Sequence, residues 1–110
     1  MRASSSCLCV FVVACVLSGV VRAVQPYRGD ADRGRQTYVK VGCYQCHGRE
    51  AQGASTGPRL GPDPMPLAQF TRYVRAPRNE MPPYTAKVLS DAELADIHAF
   101  VAARARPRIP

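Results

Sequence analysis

Apolar positions recur with helical spacing in three stretches of this chain, and no run alternates as a strand would. Ala31, Gly34, Tyr38 and Val41 follow one another at steps of three, four and three residues, which places them on one helical face. Asp30 stands where an N-cap belongs and Gly42 where a helix commonly stops, so a first helix is predicted over Asp30 to Val41. A glycine inside that helix costs roughly 1 kcal/mol against alanine, and close approach of another helix at Gly34 would offset it. The second helix is predicted over Leu67 to Arg75, with Leu67, Phe70, Tyr73 and Val74 at helical spacing. Pro66 suits its first turn and Pro77 ends it. The third is announced by Ser90-Asp91-Ala92-Glu93, a capping box in which Glu93 reaches back to Ser90. Leu94, Ile97, Phe100 and Val101 then form an apolar stripe ending near Arg104. Arg104, Arg106 and Arg108 suit a helix C-terminus and its tail, and Pro107 and Pro110 prevent continuation. Two proline-rich segments, Gly53 to Pro66 and Arg78 to Pro83, read as stiff loops shaped around a ligand. There are no internal repeats.

Ahead of these helices lies a continuous apolar stretch from about Cys7 to Val21, preceded by Arg2 and followed by Val21-Arg22-Ala23. This is the layout of a secretory signal with cleavage after Ala23. The stretch is too short for a transmembrane span, which needs roughly 20 apolar residues. Val12-Val13-Ala14-Cys15 resembles a bacterial lipobox, which would make Cys15 a lipid anchor. Apolar sequence continues past Cys15 to Val21, however, where a lipobox should end. The domain reading is therefore a signal over 1–23 and one domain over 24–110. The chain is expected in the periplasm, without membrane association.

Cleavage simplifies the thiol inventory. Of five cysteines, Cys7, Cys9 and Cys15 leave with the signal, and Cys43 and Cys46 remain. Of 110 residues, removal of 23 leaves 87. A domain of that size is marginal unless something adds buried apolar area. Arg2 and Arg22 also leave, so 13 of the 15 basic side chains face 8 acidic ones, a net charge of +5. Such a balance favours an acidic partner face. An exported chain with no basic-aromatic array is not a nucleic-acid binder.

The two remaining thiols lie in Cys43-Tyr44-Gln45-Cys46-His47. C-x-x-C-H is the attachment signature of a c-type haem. Each thiol adds across one porphyrin vinyl, the intervening turn spaces them to match, and the adjacent histidine ligates iron from beneath. A thioredoxin-like dithiol would need a parallel βαβ context, and no strand-like run precedes Cys43. A structural zinc site needs four ligands. Only Cys43, Cys46, His47 and His98 are on offer, with His47 awkwardly adjacent to Cys46.

Extended over the chain, the pattern resembles the class I c-type cytochromes from Gly29 to the closing helix. Gly34 and Tyr38 come first, then Cys43, Cys46 and His47, then Thr56-Gly57-Pro58-Arg59-Leu60, Met81-Pro82-Pro83-Tyr84 and the last helix. The resemblance implies an all-α fold of about three to four helices with proline-rich loops around one covalently attached haem. It implies that the first and last helices cross at Gly34, with Tyr38 and Phe100 packed nearby. It also implies that the Pro58 carbonyl accepts the Nδ1 proton of His47, that Leu60 packs on the porphyrin, and that Met81, 34 positions after His47, is the second axial ligand. Met65 also precedes a proline and competes for that role, though it reads better as a packed apolar loop residue. His98, on the last helix, reads as a surface or groove-lining residue. No tryptophan is present to hold a haem propionate. Arg59, Tyr73 and Arg75 are the candidate replacements, and the compact loop between Leu60 and Met81 would leave one propionate exposed.

The function implied is one-electron transfer, not enzymatic turnover. Iron would be held by His47 and Met81, and the partners would be redox proteins: a dehydrogenase as donor, a terminal oxidase or another cytochrome as acceptor. The chain would be a free carrier or the cytochrome subunit of such an enzyme. The rival reading is a haem enzyme or gas-binding protein with an open distal face. It needs Met81 not to ligate and His98 to serve as the polar distal group.

Overall fold

A computed structural model describes residues 26–106 and 108. The signal reading, with Cys7, Cys9 and Cys15, falls outside the described residues. Four helices are present: α1 (Ala31–Lys40), α2 (Tyr44–His47), α3 (Leu67–Arg75) and α4 (Asp91–Ala102). No strand occurs among the described residues, only an isolated bridge between Ala54 and Gly57. The fold is the all-α one that the periodicity predicts. The short α2, which carries the thiols, is the element that periodicity did not show.

The helix ends follow the sequence signals closely. Asp30 extends out of the helical region and its carboxylate accepts the Arg33 N–H at 2.8 Å. α1 stops at Val41, and Gly42 turns the chain at φ +87°, a left-handed conformation that glycine adopts without steric cost. At α4 both halves of the capping box form. The Glu93 N–H donates to Ser90 Oγ at 3.2 Å and the Ser90 N–H donates to Glu93 Oε2 at 2.8 Å. The Ser90 N–H and hydroxyl, both donating to Glu93 Oε2, hold the Glu93 carboxyl below the usual carboxylate range. α3 starts after Pro66 and covers the residues that were predicted.

α1 packs against α4, and the crossing is set by glycine. A β-carbon at Gly34 would sit 1.9 Å from the Asp96 carbonyl oxygen, and one at Gly29 would sit 1.9 Å from that of Ala95. The backbones therefore touch at two points, one on each side of Asp30. Beside this contact lie Tyr38, Leu89, Leu94, Ile97, Phe100 and Val101, all almost completely buried. The Tyr38 and Phe100 rings meet with centroids 5.1 Å apart. Burying a large apolar side chain is worth about 1.5–3 kcal/mol, so this cluster holds the scaffold together. α3 adds Phe70 and Val74 to it.

Within this apolar seam lies one buried carboxylate, that of Asp96. It accepts from Tyr27 Oη at 2.7 Å, from the Asp30 N–H at 2.6 Å and from Arg33 Nε at 3.1 Å. Burial pushes its acid up. The Asp30 amide, the Arg33 guanidinium and the Tyr27 hydroxyl outweigh that and hold it below the ordinary aspartate range. The segment before α1 is thereby tied to α4. On the opposite flank, Glu50 bridges Arg35 of α1 and Arg104 just beyond α4.

Candidate functional site

The motif turn is built outward from α1. The Cys43 N–H donates to the Tyr38 carbonyl at 3.1 Å, and the His47 N–H donates to the Cys43 carbonyl at 3.0 Å. These bonds wind Tyr44–His47 into a single turn, so Cys43 and Cys46 lie on one side with His47 following directly. The Tyr38 hydroxyl donates to the Gly48 carbonyl at 2.8 Å. That bond links the buried ring at the α1–α4 crossing to the peptide after His47.

His47 itself is buried. Its Nδ1 lies 2.7 Å from the Pro58 carbonyl oxygen. A carbonyl can only accept, so Nδ1 carries the proton and Nε2 keeps a lone pair free for a metal. The loop can come this close because residue 57 is glycine. A β-carbon there would lie 2.7 Å from the Cys46 carbonyl oxygen and 3.1 Å from His47 Nδ1. The Leu60 N–H donates to the Ala51 carbonyl at 2.9 Å, and the Leu60 side chain is half-buried against the core.

Met81 arrives from the other side of the chain. It is half-buried and packs against the same cluster as Cys43, Tyr44, Leu60 and Tyr84. The six residues singled out from the sequence (Cys43, Cys46, His47, Pro58, Leu60 and Met81) thus come from three separate segments. His47 and Pro58 are brought into direct contact. Cys43, Leu60 and Met81 share one packed cluster, and Cys46 is exposed.

Two expectations need correction. Met65 is 42% exposed instead of packed; it belongs to an outward-facing Pro64-Met65-Pro66 corner. Its carbonyl accepts from His98 Nε2 at 2.9 Å, and the His98 ring meets Phe70 edge-on at 5.5 Å. His98 is half-buried on α4 and tethers this loop to the helix. Arg75 is not free for a propionate. Its guanidinium donates to the carbonyls of Tyr84 at 2.8 Å and Leu89 at 2.6 Å and pairs with Asp91 at 2.6 Å. Tyr73 is half-buried and lines a shallow cleft of about 450 Å³ with Met65, Gln69, Arg72 and Arg78. Arg59 lines a second cleft of about 430 Å³ with Glu50 and Arg104. His47 and Met81 line neither cleft.

The chemistry of the donors discriminates among the readings of the motif. Burial pushes the Cys43 thiol up to about 11, the opposite of the depressed values that make dithiols reactive in exchange. No group of three or more His, Cys, Asp or Glu able to hold a metal ion exists among the described residues, so a zinc cage is not formed. One imidazole with a fixed tautomer and one half-buried thioether suit an iron whose other four ligands come from a porphyrin. One thiol a helical turn before that imidazole and one directly beside it suit covalent tethering of the porphyrin. The residues present fit a c-type haem.

Several contacts at the site carry no sequence signal. The bonds of Tyr38 to Gly48 and of Tyr84 to Val41 each join a phenol to a backbone carbonyl, and any residue supplies a carbonyl. Tyr84, three positions after Met81, belongs to the Met-Pro-Pro-Tyr segment, and nothing in that segment announces its bond to Val41.

Comparison with known families agrees with this reading. Residues 29–101 match the model of the family described as cytochrome c oxidase, cbb3-type, subunit III. No curated protein and no solved structure matches the chain. The chain belongs to that family: it is a c-type cytochrome carrying covalently bound haem.

Proposed function

We propose that this chain is a periplasmic one-electron carrier in which His47 and Met81 ligate the haem iron and Cys43 and Cys46 form the thioethers. The bond from His47 Nδ1 to the Pro58 carbonyl carries the proposal. It fixes the tautomer, orients the ring and makes the imidazole a stronger donor. The haem supplies the ferrous–ferric couple. With the haem bound, His47 and Met81 would hold the iron, and the neutral thioether would favour its ferrous state. His98 is occupied with Met65 and Phe70, which speaks against a distal imidazole that activates a gas.

Export by the 1–23 signal would deliver the chain to the periplasm, where the domain over 24–110 folds around its cofactor. Partners would be redox proteins, a dehydrogenase as donor and a terminal oxidase or another cytochrome as acceptor, and the net positive charge suits acidic docking faces. The same domain could act as the cytochrome subunit of a larger oxidoreductase. No helix of the described residues is long and apolar enough to cross a membrane.

The test is the spectrum of the ferric holoprotein. A weak far-red sulfur-to-iron band that disappears in Met81→Ala is the expected result. A high-spin spectrum, with ready carbon monoxide binding after reduction, would establish the open distal face instead. Electron-transfer rates with candidate partners should fall with rising salt; salt-independent rates would discard the basic docking surface.

A further inference from the structure

The Met81 side chain rests on the core, but the backbone around it is tied to the rest of the fold at one residue. Among the described residues, no backbone–backbone hydrogen bond joins 77–83 to another segment. Pro77, Pro82 and Pro83 have no N–H to give, and their rings fix φ. The first residue after Met81 to be tied down is Tyr84, and it is tied three times. Its N–H donates to the Val74 carbonyl at 3.0 Å, and its carbonyl accepts from Arg75 Nη1 at 2.8 Å. Its hydroxyl donates to the Val41 carbonyl at 2.9 Å, two residues before Cys43. The first two bonds fix the loop to α3. The third crosses 43 positions of sequence to the end of α1, where the motif turn begins.

We infer that Tyr84 is the positioning residue for the thioether: its hydroxyl locks the Met81 loop to the segment that carries the haem attachment. The inference rests on Met81 ligating the iron. Pro82 and Pro83 are rigid, so a fixed Tyr84 fixes Met81 three residues upstream. Cutting the hydroxyl bond leaves the α3 anchor in place and frees the loop to swing away from the motif turn. The sulfur then leaves the iron more often, and the vacated position becomes accessible to added ligands.

Tyr84→Phe removes that hydroxyl and keeps the ring. In the holoprotein, the expected result is a rise of about fivefold in affinity for added imidazole, the factor one neutral hydrogen bond supplies. The far-red sulfur-to-iron band should also be lost on heating before the helices unfold. Tyr27→Phe is the comparison, since it deletes a phenol bond to Asp96 away from the loop. That variant should unfold earlier, with band and helices lost together. Wild-type imidazole affinity in Tyr84→Phe, with the band lost only on global unfolding, would overturn the inference while leaving Met81 as ligand. A band that survives in Met81→Ala, or is absent from the wild type, would overturn the ligation reading and this inference with it.

Discussion

The two sides of this small molecule are made in different ways. Behind the motif, the backbone of α4 meets that of α1 at Gly34 and that of the segment just before α1 at Gly29. Every buried side-chain nitrogen and oxygen among the described residues has a partner, and six large side chains are almost fully hidden. In front, the thiols and Met81 sit on a four-residue helix and a proline loop, with Cys46 exposed and Cys43 and Met81 half-buried. The rear is finished by protein contacts alone. The front is a set of donor atoms held at the edge of that finished part. Lesions behind should therefore register as stability, and lesions in front as iron chemistry.

The sharpest way to break the contrast is Gly34→Ala. Its β-carbon would meet the Asp96 carbonyl oxygen at 1.9 Å, and neither backbone can yield without parting the helices. A loss of about 3 kcal/mol is expected, at the upper end for overpacking. In a domain of this size that lowers Tm by roughly 15 °C, as circular dichroism would measure. A variant that melts with the wild type would mean the crossing is looser than described.

Asp96→Asn should come next, at about 2 kcal/mol near neutral pH, since it removes charge-assisted bonds from a buried group. The pH dependence follows from the depressed acid of Asp96. Its contribution is complete above the unfolded aspartate value of about 3.9 and is lost as pH falls through the lower folded value. Urea titrations of wild type and variant should therefore differ at neutral pH and converge in acid. A gap that persists at the lowest pH would assign the loss to packing and not to charge.

Ser90→Ala should cost about 1 kcal/mol through the N-cap alone, again with no change at the iron. The most informative change for the front is expected from Gly57→Ala. Its β-carbon crowds His47 Nδ1 and the Cys46 carbonyl, which should stretch the bond to Pro58 and make the imidazole a weaker donor. Ferric iron then loses stabilisation, so spectroelectrochemistry should find a higher reduction potential in the folded variant, beyond whatever Tm the displaced loop costs. An unchanged potential would detach the Pro58 contact from iron chemistry.

What the sequence disclosed follows from how local each signal is. The capping box at Ser90, the Asp30 cap and the span of α3 are written within a few neighbouring residues, and they appear where predicted. Gly34 pointed to a close approach because a mid-helix glycine needs a reason. The contact between His47 and Pro58 came from resemblance, since nothing in a proline marks its carbonyl as an acceptor. Asp96 was hidden because it interrupts an apolar stripe by one polar position, and its partners Tyr27 and Arg33 lie more than 60 positions away. Arg75 was misjudged for a related reason: an arginine near a cofactor invites a carboxylate partner, yet its guanidinium went to two carbonyls and Asp91. α2 is a single turn, too brief for any periodicity to show.

Tyr38 belongs to both sides. Its ring is clamped against Phe100, while its oxygen grips the Gly48 carbonyl next to His47. A benzene ring does not flex along its length, so any sliding of α1 over α4 drags that oxygen, and the peptide it holds must follow. The helix pair thereby sets where the peptide after His47 lies, so a displacement at the crossing is passed along a rigid ring to the backbone of the motif turn.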